Sequence, residues 1–195
     1  RLDWVNVNID SFLVSPNQTQ YEYGYTIPSG TLTFSWLLNK NDIATISLTD
    51  MSPATTDVSA TYEHDLSNTK SFILTVGDGK ATHSKTIKIS FDSKIYWGSA
   101  TIPEELTSEW LLGLSNERFA TTKNGDFSFS VNTDDYGFIA IPSAFGTPTC
   151  KIGGFETTLE TVGSLSFVNA SGGAKPYTVY KTGQKSLGSF TMNLS

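Results

Sequence analysis

The amino-acid sequence predicts an all-β protein: an Ig-like β-sandwich followed by a second antiparallel β-sandwich domain with one short helix at its start. Three observations predict this class. Apolar residues alternate with Ser, Thr and Lys at a period of two in many segments. Gly, Asn, Asp and Pro separate the alternating segments. Charged residues make up only 16% of the 195 residues, whereas aromatic residues reach 12%, a balance that favours sheets over helical bundles.

The first 94 residues contain six or seven predicted strands. The clearest covers residues 32–38, where Phe34 and Trp36 share one face with Leu32 and Leu38. Further strands are predicted at 4–14, 43–48 and 58–62, and a hairpin at 72–76 and 87–91 around the tight turn 77–80. So many short strands describe an immunoglobulin-like sandwich over residues 1–94. The cysteine pair of antibody domains is absent, because the chain has one cysteine.

A helix is predicted near residues 107–114. Thr107 can cap it, Glu109 lies in the first turn where a carboxylate favours the helix dipole, and Asn116 is the predicted stop. Thr101 is an alternative cap. So short a helix is not stable alone, so we expect its apolar stripe to pack on a sheet. The stripe consists of Trp110, Leu111 and Leu114.

Alternation returns after the helix and predicts a second domain at residues 95–195. An apolar run at 136–141 ends at Pro142, and the pair Gly153-Gly154 marks a turn or bulge. The other predicted strands are 127–131, 149–152, 155–161, 164–168, 177–181 and 189–194.

Composition argues against two classes of partner. The formal net charge is −6 and lysines are scattered among acids, so no nucleic-acid binding is expected, because phosphate contacts need clustered Lys and Arg. No apolar run reaches the roughly 18 residues of a membrane span, so no membrane insertion is expected. The chain begins with Arg1, from which we expect a fragment or a processed product.

No catalytic centre, cofactor site or metal site is predicted, and the chain is expected not to be an enzyme. His64 and His83 have no metal-ligand spacing. A glycan-cleaving enzyme would need two facing carboxylates, but the acidic pairs 104–105 and 134–135 are adjacent residues that point apart. We expect the pair 104–105 to stabilise the helix dipole at the start of the helix and the pair 134–135 to form a turn. Residues 132–135 also offer oxygen ligands to Ca²⁺, without the spacing of an EF-hand loop.

Aromatic residues are the candidate ligand-binding groups. Trp97, Trp110 and Tyr136 cluster in or after the junction between the two domains. Rigid rings edged by Asn, Thr and Gly are a common way for β modules to hold sugars or protein partners. The alternative is that these rings pack in the core or between domains.

Several strings in the second half carry a resemblance to a family. In chain order they are KIYWG, LTSEWLLGLS, YGFIAIPSAFG, KIGGF, FVNASGGAKPYTVYKT and SLGSFTMNLS. Together they resemble the C-terminal part of structural proteins of tailed bacteriophages, in which an Ig-like module leads into a terminal β domain. The resemblance covers roughly residues 94–195 well and the first half more loosely.

The resemblance implies a virion component of the tail-fibre, baseplate or head-fibre type that acts in host attachment or assembly. It implies a homo-oligomer in the particle whose partners are other virion proteins and a host surface glycan or protein. No catalytic residues come with the family. A bacterial surface adhesin or carbohydrate-binding module is the alternative, since it would use the same aromatic residues.

Overall fold

A computed structural model describes residues 5–195 and confirms the all-β prediction. The predicted strand at 4–14 begins at Ile9 in the structure, and Trp4 lies outside the described residues. The chain divides into two compact units. The first comprises residues 5–21 and 25–91, and the second comprises 22–24 and 92–195.

Seven strands lie between residues 9 and 100. In chain order they are β1 (Ile9–Ser15), β2 (Gln20–Glu22), β3 (Thr33–Leu38), β4 (Thr45–Leu48), β5 (Ser59–Thr61), β6 (Lys70–Gly77) and β7 (Thr82–Ala100). Residues of β7 up to 91 belong to the first unit, where β7 pairs with β6, and residues 92–100 belong to the second.

The first unit is a sandwich with immunoglobulin topology. One sheet has the order β1-β3-β5, and the other has the order β4-β6-β7, with β2 also paired to β7. The immunoglobulin fold divides strands A, B and E from strands C, F and G in the same way. Phe34 and Trp36 are buried as the alternation predicts, and the indole nitrogen of Trp36 donates to the carbonyl oxygen of Asp57 at 3.0 Å.

The predicted turn between β6 and β7 is organised by Asp78. Its fully buried carboxylate accepts hydrogen bonds from the backbone N–H groups of Lys80, Ala81 and Val7, and from Lys40 Nζ at 3.2 Å. These donors, with the backbone N–H of Ala81 contributing most, hold the pKa of Asp78 well below its usual range. The turn thus fixes the segment that precedes β1 as well as the hairpin.

The second unit adds one α-helix, one 3₁₀ turn and eight strands. In chain order they are α1 (Ser108–Leu112), β8 (Asn116–Ala120), β9 (Gly125–Val131), β10 (Tyr136–Pro142), the 3₁₀ turn Ser143–Phe145, β11 (Cys150–Ile152), β12 (Phe155–Thr157), β13 (Glu160–Val168), β14 (Ala174–Lys181) and β15 (Gly188–Leu194).

The second unit has three layers, which are two β-sheets and the helix α1. One sheet has the order β13-β14-β10-β7, with β8 on the other side of β7, and a second sheet has the order β12-β11-β15-β9. An apolar core that includes Ile139, Phe127 and Met192 lies between the sheets. Another core packs Leu111 of α1 against Phe138 and its neighbours on the outer face of the first sheet. Strand β10 is therefore buried on both faces, which explains its continuous apolar run.

The helix prediction is confirmed at its start and corrected at its end. Thr107 caps α1, because its hydroxyl accepts from the backbone N–H of Trp110 at 3.1 Å. The helix ends at Leu112, where the N–H of Gly113 bonds to the carbonyl oxygens of Glu109 and Trp110. Asn116 is therefore not the helix stop but the first residue of β8.

Because Gly98 has no side chain, the segment after α1 can lie directly across β7. A Cβ atom built on Gly98 would come within 2.8 Å of Ser115 Oγ and 2.9 Å of the Ser115 backbone nitrogen. No larger residue fits at this position without displacing that segment. The Gly of the KIYWG string is thus required by close packing within the second unit.

Candidate functional site

The three aromatic residues predicted to bind ligand lie on two faces of the β13-β14-β10-β7 sheet. Trp110 and Tyr136 both contact Phe138, with ring centroids 5.1 Å and 6.3 Å from it. Trp97 packs on Phe127 in the core between the sheets, and its indole nitrogen donates to the carbonyl oxygen of Ser128 at 2.8 Å. The structure therefore brings Trp110 and Tyr136 together and separates Trp97 from them.

Two lysines extend the Trp110 and Tyr136 pair into a mixed aromatic and cationic surface. Lys181 Nζ lies 4.2 Å from the centre of the Tyr136 ring, and Lys185 Nζ lies 5.4 Å from it. Lys181 also pairs with Glu160, its cross-strand neighbour. Attraction between an ammonium group and a ring contributes on the order of 0.5–2 kcal/mol. We call Trp110, Tyr136, Lys181 and Lys185 the Tyr136 surface.

The lysines of the Tyr136 surface could not be located from the sequence. They lie 45 and 49 positions from Tyr136 along the chain, and only the β10–β14 pairing brings them near. Tyr136 and Trp110 are half-buried. The surface therefore offers ring edges and the ammonium group of Lys185, because Lys181 is paired with Glu160, and these groups suit carboxylate-bearing or hydroxyl-bearing partners.

The acidic pair 134–135 forms a turn, as predicted. Asp134 has a φ of 67°, and its backbone N–H donates to Ser186 Oγ at 2.8 Å. The carboxylate of Asp135 accepts from Ser99 Oγ at 2.8 Å and from Asn132 Nδ2 at 3.2 Å. Both residues hold the loop between β9 and β10.

The other titratable residues singled out in the sequence have structural contacts. His83 Nδ1 accepts the backbone N–H of Ile9 at 3.0 Å, and His64 packs edge-on against Tyr62. Cys150 is buried, and burial raises the pKa of its thiol. Within residues 5–195, no three His, Cys, Asp or Glu side chains are grouped so that they could hold a metal ion. None of the helices there is long and apolar enough to cross a membrane.

A buried group of tyrosines around Glu22 was not predicted. Tyr96 Oη donates to Glu22 Oε1 at 2.7 Å, and Tyr177 Oη donates to the carbonyl oxygen of Lys94 at 2.6 Å. Burial, followed by charge interactions with Glu22, raises the pKa of Tyr23 to about 12, and burial raises the pKa of Tyr96 and Tyr177 well above the usual range. We call Glu22, Tyr23, Tyr96 and Tyr177 the tyrosine cluster.

The tyrosine cluster holds residues 22–24 inside the second unit. Asn169 Nδ2 donates to the carbonyl oxygen of Tyr23 at 2.8 Å, and the N–H of Tyr23 donates to the carbonyl oxygen of Asp92 at 3.0 Å. Lys175 Nζ lies 4.0 Å from the centre of the Tyr23 ring. A Cβ atom on Gly173 would come within 2.7 Å of the Tyr23 carbonyl oxygen. These contacts give the cluster a packing role.

Comparison with protein-family models, with curated proteins and with solved structures finds no match to this chain.

Proposed function

We propose that the chain is a non-enzymatic structural protein of a bacteriophage virion, a fibre or tail/baseplate component that acts in host attachment or assembly. The observation that carries the proposal is where the phage-like strings fall. They occupy β7, α1, β10 with its 3₁₀ turn, the β11–β12 hairpin, the β13–β14 hairpin and β15, all within residues 92–195. The strings that carry the resemblance therefore fall within one folding unit, of which β8 and β9 carry none.

The exposed faces of the strands support a role in contact rather than in chemistry. On the outer face of the β9–β15 pair, Ser128 lies opposite Thr191 and Ser130 lies opposite Ser189. Such hydroxyl groups are both donors and acceptors and carry no charge. A surface of this kind suits partners that are themselves rich in hydroxyl and amide groups, such as glycans and other β proteins.

Exposed apolar side chains in the first unit support assembly into oligomers. Leu13 of β1 and Leu37 of β3 are each 61% exposed, and they are diagonal neighbours on the same sheet face. Apolar side chains grouped on an otherwise polar face are typical of protein contact surfaces. We propose that other virion proteins, including further copies of this chain, cover this face in the particle.

Particles purified from the organism that encodes the chain test the proposal. We expect mass spectrometry to find the chain in density-purified particles in several copies, and antibodies against it to label their fibres, tails or baseplates in electron micrographs. A lysate in which the phage genes are not induced is the control. Purified particles that lack the chain would overturn the proposal.

A further inference from the structure

We infer that a threonine-lined cleft in the second unit binds a neutral saccharide. The cleft has a volume of about 540 Å³, which is in the usual range for small-molecule sites. Its walls carry hydroxyl groups from both sheets of the unit. Hydroxyl-bearing residues in these walls include Thr149, Thr158, Thr161, Tyr180 and Ser195.

The cleft follows from the strand order. Strand β12 has three residues and lies at the end of its sheet, and β13 lies at the end of the other sheet. Thr158 and Leu159 connect these two strands, so the chain crosses between the sheets at this point. Cys150 and Tyr180 lie behind the connection, on the inner faces of β11 and β14. The two sheets thus enclose a hollow at the side of the sandwich where the core ends.

Tyr180 is the residue that points to a ligand. It is 5% exposed, and within the described residues its hydroxyl has no hydrogen-bond partner, whereas the hydroxyls of Tyr96 and Tyr177 are both paired. Within residues 5–195, the one side-chain polar atom that is both fully enclosed by protein and without a partner is Tyr23 Oη. Tyr180 Oη also has no partner, so it must be accessible from outside the protein. The Tyr180 hydroxyl is therefore not enclosed by protein but opens into the cleft that Tyr180 lines. A ligand hydroxyl there would complete its hydrogen bonding.

The remaining walls match a polyhydroxylated ligand. A threonine presents a hydroxyl that both donates and accepts, next to a methyl group, and a sugar ring presents the same combination of O–H and C–H groups. The hydroxyls of Thr158 and Thr161 have no partner within the described chain, whereas those of Thr149 and Ser195 bond to each other at 2.6 Å. Two free hydroxyls and one phenol therefore belong to residues that line the same cleft.

The charges at the cleft favour a neutral ligand over an anionic one. Lys151 and Glu156 line the cleft and face each other across the β11–β12 pair. Within residues 5–195 neither forms an ion pair with another side chain. One ammonium beside one carboxylate gives no net positive charge to hold a phosphate or sulfate.

Titration of the ¹⁵N-labelled chain with three neutral probes tests the inference. The probes are maltotriose, chitotriose and lactose at concentrations up to about 10 mM, which nearly saturates a site whose Kd is about 1 mM. We expect at least one probe to shift the amide signals of residues 149–151, 156–161 and 180. Tyr180→Phe removes the hydroxyl and keeps the ring, and we expect it to weaken that binding about 3- to 10-fold. Thr158→Val is a second variant with the same expected direction.

Thr86→Val is the matched control, since Thr86 is exposed on β7 in the first unit and does not line the cleft. We expect its affinity to equal that of the unchanged chain. No shifts with any of the three probes, shifts confined to other surfaces, or affinity unchanged in both Tyr180→Phe and Thr158→Val would overturn the inference. The test is independent of the virion proposal, because it measures binding by the isolated chain.

Discussion

Replacement of Trp110 by Ala tests whether this side chain stabilises the fold or serves as an exposed ligand contact. Trp110 is half-buried and packs edge-on against Phe138, at 5.1 Å between ring centroids. If about 120 Å² of the indole is kept from water, its loss costs about 3 kcal/mol at 25 cal/mol per Å². The edge-to-face pair adds about 0.5–1.5 kcal/mol, and the higher helix propensity of Ala returns about 0.5 kcal/mol. We expect a net loss of about 3–4 kcal/mol.

The assay is equilibrium unfolding in urea, followed by circular dichroism and by tryptophan fluorescence. Because α1 belongs to the second unit, we expect Trp110→Ala to lower the midpoint for that unit and to leave the slope unchanged. Leu112→Ala is the matched control on the same helix, since Leu112 is 40% exposed, and we expect a loss below about 1 kcal/mol. A loss below about 0.5 kcal/mol for Trp110→Ala would refute the packing role and would favour a ligand role.

Three further predictions concern the buried polar groups of the second unit. Burial raises the pKa of Tyr23, Tyr96 and Tyr177. Above pH 10 the unfolded state therefore loses these protons while the folded state keeps them. The free energy of unfolding should consequently fall as the pH rises from about 10 to 12. Tyrosinate absorbance should show these residues ionising together with unfolding rather than before it. Since burial also raises the thiol pKa of Cys150, a chromogenic disulfide reagent at pH 8 should modify it far more slowly in the native chain than in denaturant; equal rates would contradict its burial. Asn169→Ala leaves the Tyr23 carbonyl without its buried donor and should cost about 1–3 kcal/mol in urea unfolding, whereas no measurable loss would show that residues 22–24 are held by other contacts.

Local signals in the sequence predicted much of the fold. The alternation around Phe34 and Trp36 predicted both the strand and its buried face, because side chains in a strand point to opposite faces in turn. Thr107 was recognised as a helix cap because capping is local: the hydroxyl of the cap residue accepts from the backbone N–H three residues later, here that of Trp110. The turn at residues 77–80 was also predicted, since its Gly-Asp-Gly composition specifies the backbone conformation.

Short strands were missed or given wrong bounds. Strand β2 has three residues, too few to show a period, and β8 carries the polar sequence Asn-Glu-Arg before its first large apolar residue. The predicted strand at 155–161 is in fact β12 and the start of β13, with the connection at 158–159 crossing between sheets. Such a crossing depends on the packing of both sheets, which a local pattern does not contain.

The candidate sites depend on contacts between distant parts of the chain. Glu22 and Tyr96 are 74 positions apart, and the carboxylate and the phenol meet only in the folded second unit. Tyr180 lies in the predicted strand 177–181, and its unpaired hydroxyl is visible only when the cleft has formed. Trp97 and Trp110 were grouped because they are near in sequence, but the sheet between them puts them on opposite faces.

The most direct measurement of the central proposal is electron cryomicroscopy of intact particles from the organism that encodes the chain. We predict density for two consecutive β units in repeated copies on a fibre, tail or baseplate, with the strand order of both units recognisable. A reconstruction of complete particles in which no protein matches this chain would contradict the proposal.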